Sequence, residues 1–195
     1  SYASATPATN IVWSSSNSNL ASVSGGKVTI ASNNYGKCTI TARANGKSVS
    51  CSVTVNPTIS LNTSNITKYV GESYTLVATV RPNNSVTWYT SNSNVAVVSN
   101  GVVTAKGSGT CTITATANGV SAKATVNVKA KTMTVSPSSM SLYVGKSAKI
   151  TATTTPSSTI TWYSSNTSVA TVSGGTVVGK GAGTCTITAM ANGIS

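Results

Sequence analysis

The stretch VTWYTSNSNVAVVSNGVVTAKGSGTCTITATANG, Val86 to Gly119, decides the architecture, because it occurs twice more in the chain with light editing. The other copies are IVWSSSNSNLASVSGGKVTIASNNYGKCTITARANG (Ile11 to Gly46) and ITWYSSNTSVATVSGGTVVGKGAGTCTITAMANG (Ile160 to Gly193). Trp13, Trp88 and Trp162 are 75 and 74 residues apart, and Cys38, Cys111 and Cys185 are 73 and 74 apart. A fixed period of this length marks tandem copies of one supersecondary unit. Each copy is long enough to bury a small core of its own, which favours beads on a string over a continuous solenoid. The expected units are 1–56, 57–130 and 131–195.

Within the complete middle copy the pattern is that of strands. Thr58 to Leu61 and Ile66 to Val70 read as a short, broken first strand, and Gly71 opens a turn. Ser73 to Val80 alternates, with Tyr74, Leu76, Ala78 and Val80 on one face. Further strands follow at Val86 to Tyr89, Val95 to Val98, Val102 to Ala105, Thr110 to Ala117 and Ser121 to Val128. Asn100-Gly101 and Asn118-Gly119 punctuate them as tight turns. Many short strands separated by turn signals, with no helical period, indicate an all-β sandwich.

These residues carry a resemblance. The order VGE, the Val86–Gly119 segment and then ATVNV is similar to the bacterial Ig-like domain of group 2 (Big2), over essentially the whole chain. The resemblance implies tandem Ig-like sandwiches of bacterial or bacteriophage surface proteins, used as stalks, adhesin segments or carbohydrate-contacting modules. Some members bind calcium through acidic loops. Here the loops carry Asn and Ser, so calcium binding is not carried over, and added calcium is expected to leave the melting temperature unchanged.

Composition narrows the function. Apolar residues make up 39% of the chain and charged residues only 7%; there is no His, Asp or Phe, and Glu72 is the one acidic residue. A catalytic triad, a carboxylate pair, a His-rich metal site and an EF-hand loop all need side chains that are missing. No enzyme activity, cofactor or metal is therefore expected. The net charge of +12 invites a polyanion, but the basic residues are spread singly, and only Lys129 and Lys131 lie close together. A nucleic-acid binder gathers its cations on one face beside aromatic readers, so nucleic acid is not an expected partner. No apolar run approaches the roughly 20 residues that span a bilayer.

The remaining chemistry lies in aromatic and sulfur side chains. Trp13, Trp88 and Trp162 share the parity of their inward neighbours Ile11, Val86 and Ile160 and are expected in the core. Tyr89 and Tyr163 have the opposite parity, beside the Ser/Asn turns, and are the candidate ligand or packing contacts; the first copy has Ser14 there. A four-residue connection, Arg43 to Gly46, would set Cys38 opposite Cys51, where a cross-strand disulfide can form. Two separate fates for the cysteines, or four free thiols, also fit the sequence. Cys111 faces no cysteine counterpart. Asn-X-Ser/Thr matches at Asn62, Asn65, Asn83 and Asn166 are what so polar a composition produces by chance.

Aligning Pro7 with Pro82 puts Ser1 level with Leu76, inside a strand, and Ser195 level with Ser121. The first unit is thus expected to lack its opening strands and the third its last strand. Either the array is longer or neighbouring copies complete the units as a filament. The expected function is a non-catalytic stalk or fibre of a bacterial cell surface, extracellular filament or virion. The alternative is an adhesin or carbohydrate-binding module using exposed Tyr and Asn/Ser loops. The expected partners are neighbouring copies or adjoining repeats, and surface glycans in the alternative.

Overall fold

A computed structural model describes residues 10–195. The alignment of Ser1 and Pro7 with the middle repeat lies outside the described residues. The fold is all-β, and its strands fall into the repeats seen in sequence. The first repeat contributes β1 (Val12–Ser15), β2 (Ala21–Ser24), β3 (Lys27–Ile30), β4 (Gly36–Ala44) and β5 (Lys47–Val55). In the middle repeat come β6 (Thr58–Leu61), β7 (Asn65–Tyr69), β8 (Ser73–Thr75), β9 (Ala78–Arg81) and β10 (Thr87–Thr90). It continues with β11 (Ala96–Ser99), β12 (Val102–Ala105), β13 (Gly109–Ala117) and β14 (Val120–Lys129). The third holds β15 (Thr132–Ser136), β16 (Ser147–Lys149), β17 (Thr151–Thr155), β18 (Thr161–Ser164), β19 (Ala170–Ser173), β20 (Thr176–Gly179) and β21 (Ile187–Met190).

The middle repeat shows how the alternation becomes a sandwich. One sheet runs β10-β13-β14-β7, in which only the β14–β7 pair is parallel, and the facing sheet runs β11-β12-β8. Ile66, Leu76, Val103, Cys111, Ile113 and Val126 meet between them as a buried cluster. Separate buried clusters form around Leu20 and Ile40 in the first repeat and around Ile150 and Val177 in the third. Burying a side chain of this kind is worth about 1.5–3 kcal/mol, so the alternating apolar positions hold each cluster together.

Two features differ from the strand reading of the sequence. The run Ser73 to Val80 is two strands: β8 pairs with β12, whereas β9 pairs with β6. The chain changes sheets at Leu76 and Val77, yet Tyr74, Leu76, Ala78 and Val80 all keep their inward parity, with Leu76 and Val80 buried. Alternation survives the switch because it needs only extended backbone, not one continuous partner.

The hairpin β4–β5 is the second difference, and it corrects the cysteine pairing. Its connection is the two-residue turn Asn45-Gly46, with φ of 51° and 72°, not the four-residue Arg43 to Gly46. Positive φ at both central positions is the type I′ geometry that Asn-Gly favours. Ala44 therefore opposes Lys47, Cys38 opposes Val53 and Cys51 opposes Ile40. Cys38 is buried, Cys51 is exposed, and all four cysteines are free thiols. The direct opposition on which the Cys38–Cys51 disulfide rested is absent.

A repeated glycine shapes the hairpin across the core. Gly101 has φ +82°, and a Cβ there would collide with the Leu76 carbonyl and come within 3.3 Å of the Trp88 ring. Gly175 stands in the same relation to Ile150 and Trp162. Only glycine combines this backbone conformation with so close an approach.

Candidate functional site

The tryptophans and tyrosines lie on neighbouring positions of edge strands. Trp13, Trp88 and Trp162 are half-buried, and each packs against the apolar cluster of its own repeat. Tyr89 and Tyr163 point the other way and are 66% and 70% exposed. Beside Tyr89 an open recess of about 600 Å³ lies between β10 and β11, with Trp88, Ser91, Asn92 and Val98 on its walls. Tyr163 borders a smaller one of about 320 Å³ with Trp162, Thr167 and Val172. Trp88 and Trp162 thus close the core and present an edge to these recesses, a double position that strand parity alone did not reveal.

The Ser/Asn loops beside the tyrosines are largely occupied by their own turns. Asn92 Oδ1 accepts a hydrogen bond from the Asn94 amide at 3.0 Å, and Thr90 Oγ1 donates to the Ala96 carbonyl at 2.9 Å. Ser91 Oγ accepts from the Thr112 amide at 2.9 Å, which ties the loop to β13. The third repeat repeats the set through Asn166, Ser164 and Ser165. Side chains of this kind close Asx and Ser/Thr turns, so the recurrence of Ser and Asn here has a structural cause.

A second repeated clamp uses the hairpin asparagines. Asn118 Nδ2 donates to the Pro82 carbonyl at 2.7 Å, and Asn192 Nδ2 to the Pro156 carbonyl at 2.6 Å. Glu72 is likewise engaged: its Oε2 accepts from the Tyr69 amide at 2.9 Å across the turn that Gly71 opens. Among the described residues, no three His, Cys, Asp or Glu side chains come together as a metal-binding group. Among the described residues there is no helix long and apolar enough to cross a membrane.

On the outer face of the four-stranded sheet, β13 presents a row of hydroxyls. Thr110, Thr112, Thr114 and Thr116 alternate along β13 with the buried Cys111, Ile113 and Ala115. Cross-strand neighbours extend the array, and Thr116 and Ser121 share a hydrogen bond at 2.8 Å. In the first repeat Thr41 and Ser50 do the same at 2.9 Å. Paired hydroxyls of this kind each contribute a few tenths of a kcal/mol, up to about 1, to a sheet.

Sandwiched sheets, Greek-key-like strand order and a Trp over each core define an Ig-like β-sandwich class. The family follows directly: the model of the bacterial Ig-like domain (group 2) matches residues 52–128 and 129–194, and the chain belongs to that family. This is a non-catalytic type of domain. Among solved structures the chain is similar to domains 4 and 5 of the S-layer protein SbsC, at 23% identity and a TM-score of 0.34. That match covers 62% of this chain and 70% of the other. A longer SbsC structure, rSbsC(31-844), is 19% identical with a TM-score of 0.36, covering 92% of this chain and 28% of that one. Sidekick-1 immunoglobulin domains 1–5 are 13% identical with a TM-score of 0.34, over 90% of this chain and 48% of theirs. No curated protein matches the chain in sequence.

Proposed function

We propose that the chain is a structural segment of a bacterial surface protein, extracellular filament or virion. In this reading three Ig-like units, 1–56, 57–130 and 131–195, hold other parts of the assembly at a distance and catalyse nothing. The observation that carries it is the brevity of the connections. Only Asn56 and Pro57 separate β5 from β6, and only Ala130 and Lys131 separate β14 from β15. Two-residue links leave little freedom for neighbouring sandwiches to fold back on one another. Lys131 also donates from Nζ to the Asn192 carbonyl at 3.1 Å, and the same ammonium lies beside the Gly71 turn of the middle repeat. Membership of a bacterial Ig-like family supports the surface setting, and adjoining repeats or neighbouring copies are the partners that a tandem array offers.

Small-angle scattering tests the stalk. A compact chain of this size has a radius of gyration of about 16 Å. Three units in line, each about as long as a ten-residue strand (roughly 34 Å), give about 30 Å. A value near the compact one would defeat the proposal.

A further inference from the structure

The outer sheet faces of the first two repeats share an arrangement that neither the fold nor a stalk requires. On β4 the outward residues are Lys37, Thr39, Thr41 and Arg43; on β14 the series Lys123, Thr125, Asn127 and Lys129 points outward. In both, two cations stand six residues apart, roughly 20 Å along an extended strand, with uncharged hydrogen-bonding groups between them. The buried positions alternate with them: Cys38, Ile40 and Ala42 on β4, and Ala124, Val126 and Val128 on β14. The two series are on different strands of their repeats, so they are not one motif inherited at one position. In the third repeat the positions matching β4 carry Thr184, Thr186, Thr188 and Met190, without a cation.

The middle repeat adds an aromatic ring. Tyr89 opposes Thr114, and Thr114 opposes Lys123, so ring, hydroxyl and ammonium form one row across three adjacent strands. Neighbouring strands are about 4.8 Å apart, so the row is continuous for a ligand lying on the sheet. The chain's one acidic side chain, Glu72, accepts from the amide of Tyr69, which lies opposite Lys129, so its charge sits near the Lys129 end of the face and outside the row of Tyr89, Thr114 and Lys123.

We propose that this face of the middle repeat, centred on Tyr89, Thr114, Lys123 and Lys129, binds an extended anionic polysaccharide. The lysines meet its carboxylate or phosphate groups, the threonine and asparagine groups exchange hydrogen bonds with its hydroxyls, and Tyr89 packs on a sugar ring. Charge complementarity selects the anion. A flat, hydroxyl-lined surface with one exposed ring suits a sugar polymer better than nucleic acid, whose bases call for several stacking side chains. The first repeat supplies a weaker version, with Ser14 in place of the tyrosine. The inference is independent of the stalk reading, since a compact chain would carry the same face.

The test uses the 195-residue chain and polygalacturonate as the anionic probe, with dextran and an oligo(dT) as comparators. Polygalacturonate should bind in a salt-sensitive way, more tightly than either comparator. The double substitution Lys123→Thr/Lys129→Thr, which suits a strand, should weaken binding about tenfold or more, because both cations lose their contact with the polymer's anionic groups. Lys106→Thr/Lys180→Thr removes the same charge elsewhere and should cost less than about threefold. In a lysine-acylation footprint on the unmutated chain, the polymer should shield Lys123 and Lys129 but not Lys106. Equal losses in the two double variants, equal shielding of all three lysines, or binding to dextran or oligo(dT) as tight as to polygalacturonate would each overturn the proposal.

Discussion

The middle and third repeats have closely similar sequences but are not the same structure. Asn65 to Tyr69 in the middle repeat form β7, whereas the matching Ser139 to Tyr143 form no strand. Strand β13 runs for nine residues, while its counterpart β21 runs for four. The cause is β14, which lies between β13 and β7 and pairs with both. The 195 residues stop at Ser195, level with Ser121 near the start of β14, so β21 is described without that neighbour. Packing follows pairing: Cys111 and Ile113 are buried, while Cys185 and Ile187 are half-exposed, and Tyr143 is 87% exposed. A β-strand is thus a property of the pair of chains that make it, more than of the residues in either one.

The largest expected effect comes from the same truncation in both repeats. Ile113→Ala empties a fully enclosed site and should cost about 4 kcal/mol, whereas Ile187→Ala, with solvent already near, should cost about half that. Hydrogen exchange of the β13 and β21 amides, read separately, reports the two losses. Equal costs would mean that the third repeat packs as tightly as the middle one, contrary to the comparison.

A second pair of substitutions sharpens the contrast by finding where it ends. Gly101→Ala and Gly175→Ala each force a Cβ into a backbone carbonyl, of Leu76 and Ile150 respectively, at positive φ. Both should lose about 2 kcal/mol, and by similar amounts, because the β11–β12 and β19–β20 hairpins pair in the same register. Unequal penalties in urea unfolding would show that the difference extends through the whole third repeat.

The smallest effect is kinetic. A disulfide reagent should modify Cys51 first, then Cys185, with Cys38 and Cys111 slowest, following their exposure. Cys111 reacting as fast as Cys185 would remove the packing difference between the two repeats. Absence of a fast thiol in the oxidised, unmutated chain would revive the Cys38–Cys51 bridge.

Much of this was legible in the residues because the relevant forces are local. The parity of Trp88 against Tyr89 told which side chain meets the core, and alternation through Tyr74, Leu76, Ala78 and Val80 held even where the chain changes sheets. The cysteine register was misread for a local reason as well. Asn45-Gly46 is a two-residue turn signal, and counting a longer connection shifted every pair along β4 and β5. The candidate face was harder to see. Lys37 with Arg43, and Lys123 with Lys129, look scattered along the chain, and only the strand alternation brings each pair onto one surface with hydroxyls between.

By itself the sequence determined the period, the all-β class, the inward and outward sets of each strand and the near-absence of acidic chemistry. Those follow from composition and from the two-residue repeat of extended backbone. Only the tertiary structure decided that Ser73 to Val80 divides between two sheets, that β7 pairs in parallel with β14, and that Cys51 lies exposed. Each of these depends on which distant strand lies alongside. Backbone hydrogen bonds between strands join residues far apart in the chain, and no local pattern states which partner will be there.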